Sequence, residues 1–146
     1  MDTTTINRIL RSLPSTQRQY AGCFPSDALS LPSRYPSAAV INTDESDQPG
    51  THWVAVYMKS PSTVYYFDSY GIDPVANVEA FLSRFAHRTE NSCIIQSVNS
   101  YVCGHYCIFF LIHCCRGFSY EKIMSILLNQ NNPDAFVANF VRRLMK

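Results

Sequence analysis

The apolar run from Cys103 to Cys115 constrains the fold of this chain more than any other feature of its sequence. A helix that is apolar on all sides must be buried, so we expect this run to form a helix inside the core. Its longest apolar stretch, Cys107 to Cys115, is too short and too polar at its ends to span a bilayer. A turn is predicted at Asn99-Ser100, which places Cys103 where a loop enters the helix.

Length and composition point to one soluble globular domain. The chain has 146 residues, of which 47% are hydrophobic and 16% charged, far from the composition of disordered chains. That length fits a single core, so we expect one domain over residues 1–146. The first ten residues contain an early acid, Asp2, and no long apolar segment, which argues against a signal peptide. We therefore expect an intracellular protein with no membrane partner.

The cysteines are expected to be free thiols. An even number would allow three disulfides, but without a secretory signal a reducing compartment is the default. The six cysteines are Cys23, Cys93, Cys103, Cys107, Cys114 and Cys115.

Apolar spacing and turn residues predict helices at both ends of the chain around a central group of strands. Thr5 is the predicted cap of a first helix that ends at Pro14, and residues 20–37 are predicted to be irregular. The other predicted elements are strands at 38–42, 52–58, 63–68 and 92–97, an acidic turn at 44–50, and helices beginning at or next to Pro74, Cys103, Ser119 and Asn132. This order indicates the α+β class.

Cys103 is the candidate nucleophile. A thiol at the start of a helix faces the unpaired backbone amides of the first turn, which lower its pKa and favour the reactive thiolate. Gly104, the next residue, allows another part of the chain to approach closely. From the residue alone, Cys103 could equally be one more buried apolar cysteine, as is expected of Cys107 and Cys114.

His52 and Asp68 are the candidate base and its partner. His52 opens one strand of the predicted hairpin and Asp68 ends the other, so the hairpin would make them neighbours. A carboxylate in that place would fix the tautomer of the imidazole and stabilise its charged form. The alternatives are a structural histidine at a strand edge and an aspartate that starts the Asp-Ser-Tyr-Gly turn.

Gln96 lies seven residues before Cys103 and could donate its side-chain amide to an oxyanion, with the Cys103 backbone N–H as the second donor. Zinc binding is the competing use of these side chains, because Cys107 and Cys114 share a helix face with Cys103 and His113 is close. Zinc sites usually combine ligands from two separate clusters. Ligands confined to one apolar helix disfavour a metal site, so no metal is expected.

Taken together, these motifs resemble the adenovirus-type endopeptidases, the adenain family, which share a clan with the proteases that process SUMO and other ubiquitin-like proteins. The resemblance covers most of residues 6–115, and it includes segments 22–27 and 38–44. It implies a papain-like α+β fold, a small mixed sheet flanked by helices. The motifs that carry it, in their order and rough spacing, are His52-Trp53, Phe67-Asp68-Ser69-Tyr70-Gly71, Gln96 and Cys103-Gly104.

The resemblance implies a cysteine endopeptidase that cleaves Gly-rich sites in the precursor proteins of a virus or virus-like element during virion maturation, in the host nucleus or the virion. The implied roles are Cys103 as nucleophile, His52 as general base, Asp68 as the group that orients His52, Gln96 in the oxyanion hole, and Trp53 and Gly104 beside that hole in substrate binding. A processing protease for a SUMO-like modifier is the alternative. An inactive binding module on the same scaffold is a third hypothesis.

The chain departs from the adenoviral pattern in three respects. Asp68 stands where the adenoviral enzymes carry glutamate, and in this it resembles the SUMO-protease branch. Cys93 lies only three residues before Gln96, closer than the cysteine that an activating viral peptide would bridge. The net charge is only +1, whereas the adenoviral enzymes are basic and use DNA as a cofactor. We therefore expect no required cofactor; DNA and a peptide activator follow from the resemblance alone, and the basic segments 1–20 and 116–146 could make weak DNA contacts or be solvated helix faces.

Overall fold

The computed structural model describes residues 1–47, 52–97 and 100–145, which form a mixed sheet with helices on both faces. The elements in chain order are α1 (Thr3–Ser12), β1 (Tyr20–Pro25), β2 (Ser37–Asn42), β3 (Trp53–Ser60), β4 (Thr63–Phe67), α2 (Ala76–Leu82), β5 (His87–Glu90), α3 (Cys103–Cys115), α4 (Tyr120–Leu128) and α5 (Pro133–Leu144).

The five strands are ordered β1-β2-β3-β4-β5, with β3 at the centre. The three middle strands pair antiparallel, and the two edge strands each pair in parallel with their neighbour. The central strand is buried continuously from Val54 to Met58, as expected for a strand that is covered on both faces. The small mixed sheet flanked by helices, expected from the resemblance, is therefore present.

Alternate residues of the central strands contribute to two separate cores. On one face, Ala55 and Tyr57 pack with α3 and with side chains of α1, α4 and α5. On the other face, Val54, Val56 and Met58 pack against side chains of α2. The two cores explain why the middle of the chain needs near-continuous apolar strands rather than an alternation of apolar and polar residues.

The apolar run forms α3 as predicted, and eleven of its thirteen residues are buried. The two helices that follow also begin where their caps predict. The Ser119 hydroxyl accepts the backbone N–H of Lys122, and the Asn132 side chain accepts that of Ala135. These caps satisfy amides that the helices themselves leave unpaired.

Two predictions for the first part of the chain are wrong. The cap of α1 is Asp2, whose carboxylate accepts the N–H of Thr5, so the helix begins before the predicted cap. The segment predicted to be irregular begins with β1, which pairs in parallel with β2. Gly22, with φ near 143°, lies at a register shift in β1. That irregularity interrupts the alternation by which a strand is recognised.

One prediction in the second half also fails. The strand predicted at 92–97 is absent, because the backbone N–H groups of Ile95 and Gln96 both donate to Ser69 O, in the turn after β4. The edge strand is instead β5, whose largely exposed polar residues give no apolar signal. The second helix begins at Ala76, close to Pro74 as predicted, with Val75 as its N-cap. The turns predicted at 44–50 and 99–100 lie partly outside the described residues, and none of the described helices is long and apolar enough to cross a membrane.

Gly71 lies where two loops are in close contact, and we predict that Gly71→Ala is destabilising. Its φ is 63°, and a Cβ there would clash with the backbone carbonyl oxygen of Cys93. A left-handed alanine costs about 1–2 kcal/mol, and a clash with backbone adds roughly 1–3 kcal/mol. Urea unfolding would measure the loss. Gly117→Ala is the matched control, because Gly117 also has positive φ but its Cβ would meet no described atom within 4 Å; equal losses in the two variants would contradict the predicted clash.

Candidate active site

The start of β3, the end of β4 and the start of α3 meet at one end of the sheet, and they bring His52, Asp68 and Cys103 together. In the β3–β4 hairpin Ala55 pairs with Phe67, so the residues beyond this pair lie beside each other. The His52 Nε2 atom is 2.8 Å from Oδ1 of Asp68, whose side chain is only 2% exposed. The hairpin thus makes the two residues neighbours, as the sequence predicted.

The hydrogen bond to Asp68 fixes the tautomer of His52. A carboxylate only accepts, so Nε2 carries the proton and Nδ1 is the ring nitrogen left without one. Burial of the ring opposes its charged form, but the hydrogen bonds to Asp68 and Cys103 outweigh it and raise the pKa of His52 to about 9. The ring is thereby prepared to hold a proton taken from the thiol.

Cys103 is the first residue of α3, and its environment favours the thiolate. Val102, the residue before it, provides no side-chain cap to the helix, so the first-turn amides are available to a negative charge. Burial opposes ionisation, but hydrogen bonds from the His52 ring and from the backbone of Trp53 and Gly104 outweigh it and lower the pKa of Cys103.

Four other cysteines, two of them buried and two partly buried, have the opposite property. Burial raises the pKa of Cys107 and Cys114, on the same helix, well above the ordinary value. It also raises the pKa of Cys23 to about 11 and that of Cys115 to about 12. Cys103 therefore differs from these four thiols in its electrostatics, which disfavours the alternative that it is merely one more core cysteine.

Trp53 and Gly104 pack against each other beside the thiol. A Cβ on Gly104 would lie 3.3 Å from Cδ1 of Trp53 and 3.4 Å from Cδ1 of Ile6 in α1. The close approach expected at this glycine is therefore made by the indole ring and by α1. An alanine here would push the indole away from the first turn of α3.

Gln96 is buried near the site and held by two serines. Its side chain is 1% exposed; Oε1 accepts from the Ser69 hydroxyl at 2.6 Å, and Nε2 donates to the carbonyl and hydroxyl oxygens of Ser100 at 3.1 and 3.0 Å. The next residue, Ser97, donates its N–H to the Asp134 carboxylate of α5. The structure thus places the amide in a fixed position, with its N–H groups directed at Ser100.

Tyr70 is a site residue that the sequence analysis did not single out. Its ring stacks on His52 with the centroids 4.8 Å apart, and its backbone N–H donates to Asp68 Oδ1 at 2.9 Å. The same carboxylate oxygen therefore starts the turn and binds the imidazole. The turn predicted at Asp68 and its predicted contact with His52 are therefore both present, and the two do not exclude each other.

The remaining candidates for metal binding have other surroundings. His113 hydrogen-bonds through Nδ1 to the carbonyl of Phe109 at 2.7 Å, and its ring contacts three phenylalanines. Within residues 1–47, 52–97 and 100–145, no three His, Cys, Asp or Glu side chains are grouped so as to hold a metal ion.

A family model described as adenovirus endoprotease matches residues 23–132. The chain belongs to the adenovirus endoprotease family. The match spans His52, Asp68, Gln96 and Cys103, and the membership expected from those motifs is confirmed.

Viral proteases are among the similar sequences. A thiol protease of Acanthamoeba polyphaga mimivirus is 33% identical over 99 residues, covering 60% of this chain and 33% of that protein. The protease of bovine adenovirus C serotype 10 is 30% identical over 91 residues, covering 51% of this chain and 46% of that protein. A cysteine protease of African swine fever virus is 26% identical over 116 residues, covering 70% of this chain and 42% of that protein. The chain thus spans less than half the length of these relatives.

Solved structures confirm the predicted α+β, papain-like fold class. The African swine fever virus protease has a TM-score of 0.65 at 18% identity, covering 93% of this chain and 65% of that one. The C-terminal Ulp1 protease domain, in complex with the yeast ortholog of SUMO, has a TM-score of 0.51 at 15% identity, covering 94% of this chain and 76% of that one. At these identities the likeness establishes the fold alone.

We predict that Cys103 reacts faster with iodoacetamide at neutral pH than any of the four cysteines whose pKa is raised. Its lowered pKa gives it more thiolate there. Mass spectrometry of partly labelled protein would rank the sites, in a Cys93→Ser background because Cys93 is exposed. His52→Ala should slow labelling of Cys103. Equal labelling rates with and without the imidazole would contradict the assigned thiol–imidazole pair.

Proposed function

We propose that this chain is the catalytic part of a cysteine endopeptidase, with Cys103 as nucleophile, His52 as general base and Asp68 as the group that orients the base. The observation that carries the proposal is the 2.8 Å hydrogen bond between the buried Asp68 carboxylate and the His52 ring. The Cys103 thiol is close enough to that ring for each group to shift the pKa of the other. It supplies an activated nucleophile, a base and an orienting group in the arrangement that thiol proteases use.

The proposed reaction has two stages. His52 Nδ1 takes the thiol proton and Cys103 Sγ attacks the peptide carbonyl carbon, giving a tetrahedral oxyanion. The imidazolium then donates its proton to the leaving amine as the C–N bond breaks and a thioester remains. In the second stage His52 takes a proton from water, the hydroxide attacks the thioester, and the carboxylic acid and the thiol are released.

The oxyanion in both stages would be held by the backbone N–H of Cys103 and by Gln96. Gln96 has two N–H bonds on Nε2, and Ser100 accepts from this nitrogen through two atoms of one residue. We propose that one N–H bond remains with Ser100 while the other turns to the oxyanion. Ser69 would keep the amide oriented through Oε1. Removal of such a donor typically costs ~10²–10³ in turnover.

We propose that the substrates are precursor proteins of a virus or virus-like element, cleaved at Gly-rich sites during virion maturation in the host nucleus or the virion. The viral origin of the similar sequences supports the source of the substrates. The packing of Trp53 on Gly104 supports the preference for glycine. An indole ring beside the nucleophile would narrow the cleft, so that only residues with small side chains fit next to the scissile bond. Trp53 and Gly104 would then contact the substrate.

Processing of a SUMO-like modifier is the second candidate function. It is favoured by the aspartate at position 68, which the SUMO-protease branch shares, and by the likeness in fold to a protease domain bound to the yeast ortholog of SUMO. The two functions differ in the substrate that each requires. A modifier protease needs a folded partner, whereas a maturation protease needs an extended peptide.

We propose that neither DNA nor a peptide activator is required for the chemistry, because the described chain already brings acid, base and thiol together. The groups that would hold DNA are exposed arginines of α1 and α5, namely Arg8, Arg11, Arg142 and Arg143. Any stimulation by DNA through these side chains should fall steeply with rising salt.

The central prediction is that Cys103→Ala abolishes cleavage of a fluorogenic Gly-rich peptide while thermal unfolding stays near wild type. The variant removes the nucleophile and leaves only the residual rate that binding and the oxyanion hole supply. Cys93→Ser, which changes an exposed thiol, is the matched control and should retain activity. Comparing cleavage of the peptide with cleavage of a SUMO fusion distinguishes the two candidate substrates. Repeating the peptide assay with DNA tests whether DNA stimulates the enzyme. Undiminished cleavage by purified Cys103→Ala would end the proposal.

A further inference from the structure

Asn91 binds both backbone groups of Asp68. Its Oδ1 accepts the Asp68 N–H at 3.1 Å, and its Nδ2 donates to the Asp68 carbonyl oxygen. A carboxamide has the same donor and acceptor as a backbone amide, so this side chain acts like one more residue of a neighbouring strand. The parallel pairing of β4 with β5 extends to Tyr66 and Glu90. Asn91 is the residue after Glu90, and it continues the pairing through its side chain.

Tyr120, the first residue of α4, adds hydrogen bonds from a helix to the ends of β4 and β5. Its hydroxyl lies 2.7 Å from the carbonyl oxygen of Tyr66 and 3.0 Å from Oδ1 of Asn91. The tyrosine is buried, and its ring packs edge-on against Phe110 of α3. The single hydroxyl hydrogen is therefore directed at the ends of β4 and β5, and the ring that carries it is fixed by the core.

We propose that Asn91 and Tyr120 are positioning residues, which fix the backbone of Asp68 and through it the direction of the carboxylate that orients His52. The inference rests on the proposed function, since it assigns a role relative to the catalytic acid. It adds a contribution of β5 and α4 to a site otherwise built from β3, β4 and α3.

The geometry explains why the Asp68 backbone needs such support. Asp68 stands beyond the last paired residue of β4, where the ladder with β5 has ended. Its Oδ1 accepts from both His52 Nε2 and the Tyr70 N–H, so a small rotation of the backbone would move both hydrogen bonds. Displacement of a catalytic group by about 1 Å can cost roughly 10²-fold in rate.

The test compares Asn91→Leu, which keeps the branched side-chain shape and removes both hydrogen bonds to Asp68, with Tyr120→Phe, which removes only the hydroxyl. Asn139→Leu, the same change at an exposed position of α5, is the control. We expect kcat for peptide cleavage to fall roughly 10- to 100-fold in Asn91→Leu and less in Tyr120→Phe. KM should stay within about 2-fold, because neither side chain is assigned to substrate binding.

The pH dependence of Cys103 alkylation separates positioning from loss of folded protein. A misdirected carboxylate holds the imidazolium less well, so thiolate formation at Cys103 should move to higher pH in both variants. Loss of folded protein alone lowers the amplitude and leaves the midpoint where it is. If Asn91→Leu does not fold, the pH midpoint of Cys103 alkylation in Tyr120→Phe tests the positioning role.

Wild-type midpoints in the folded variants would overturn the inference while leaving the proposed function intact. A wild-type protein that neither cleaves peptide nor shows enhanced Cys103 alkylation would overturn the proposed function itself. The positioning role is therefore tested by the variants, and the proposed function is tested by the wild-type protein.

Discussion

The site depends on one buried oxygen, Oδ1 of Asp68, which accepts hydrogen bonds from the His52 ring and from the Tyr70 backbone. A carboxylate with so little exposure has few water molecules to stabilise it, so these donors must. In return its negative charge keeps the proton on His52, and the charged ring stabilises a thiolate at Cys103. The turn after β4 and the thiol–imidazole pair therefore share a single acceptor.

Helix α3 contributes to both the hydrophobic core and the candidate active site. Along α3 burial suppresses ionisation of Cys107 and Cys114, while Cys103, at the first turn, has backbone donors and an imidazole beside it. The sheet contributes the end of its central hairpin, where His52 and Asp68 meet. Reactivity is thus confined to the place where a buried helix begins against the end of a strand pair.

The sequence was sufficient for the features that rest on strong local signals. Helix α3 follows from its apolar run, and the juxtaposition of His52 with Asp68 follows from a hairpin whose two strands are rich in aromatic and β-branched residues. The sequence was insufficient where a strand or side chain is held by hydrogen bonds to residues distant in sequence. The polar edge strand β5 is defined by its pairing with β4, and Asn91 hydrogen-bonds to the backbone of a residue distant in sequence. Residue type alone gives no sign of either.

The protonation state of His52 is the most direct measure of the central claim. Nuclear magnetic resonance of protein labelled at its histidine rings can follow this ring through a pH titration, with Asp68→Asn as the comparison. We expect a pKa of about 9 for His52 in the wild type and a lower pKa in the variant, because the neutral amide no longer stabilises the imidazolium. A wild-type value near the ordinary 6.5, unchanged by Asp68→Asn, would contradict it.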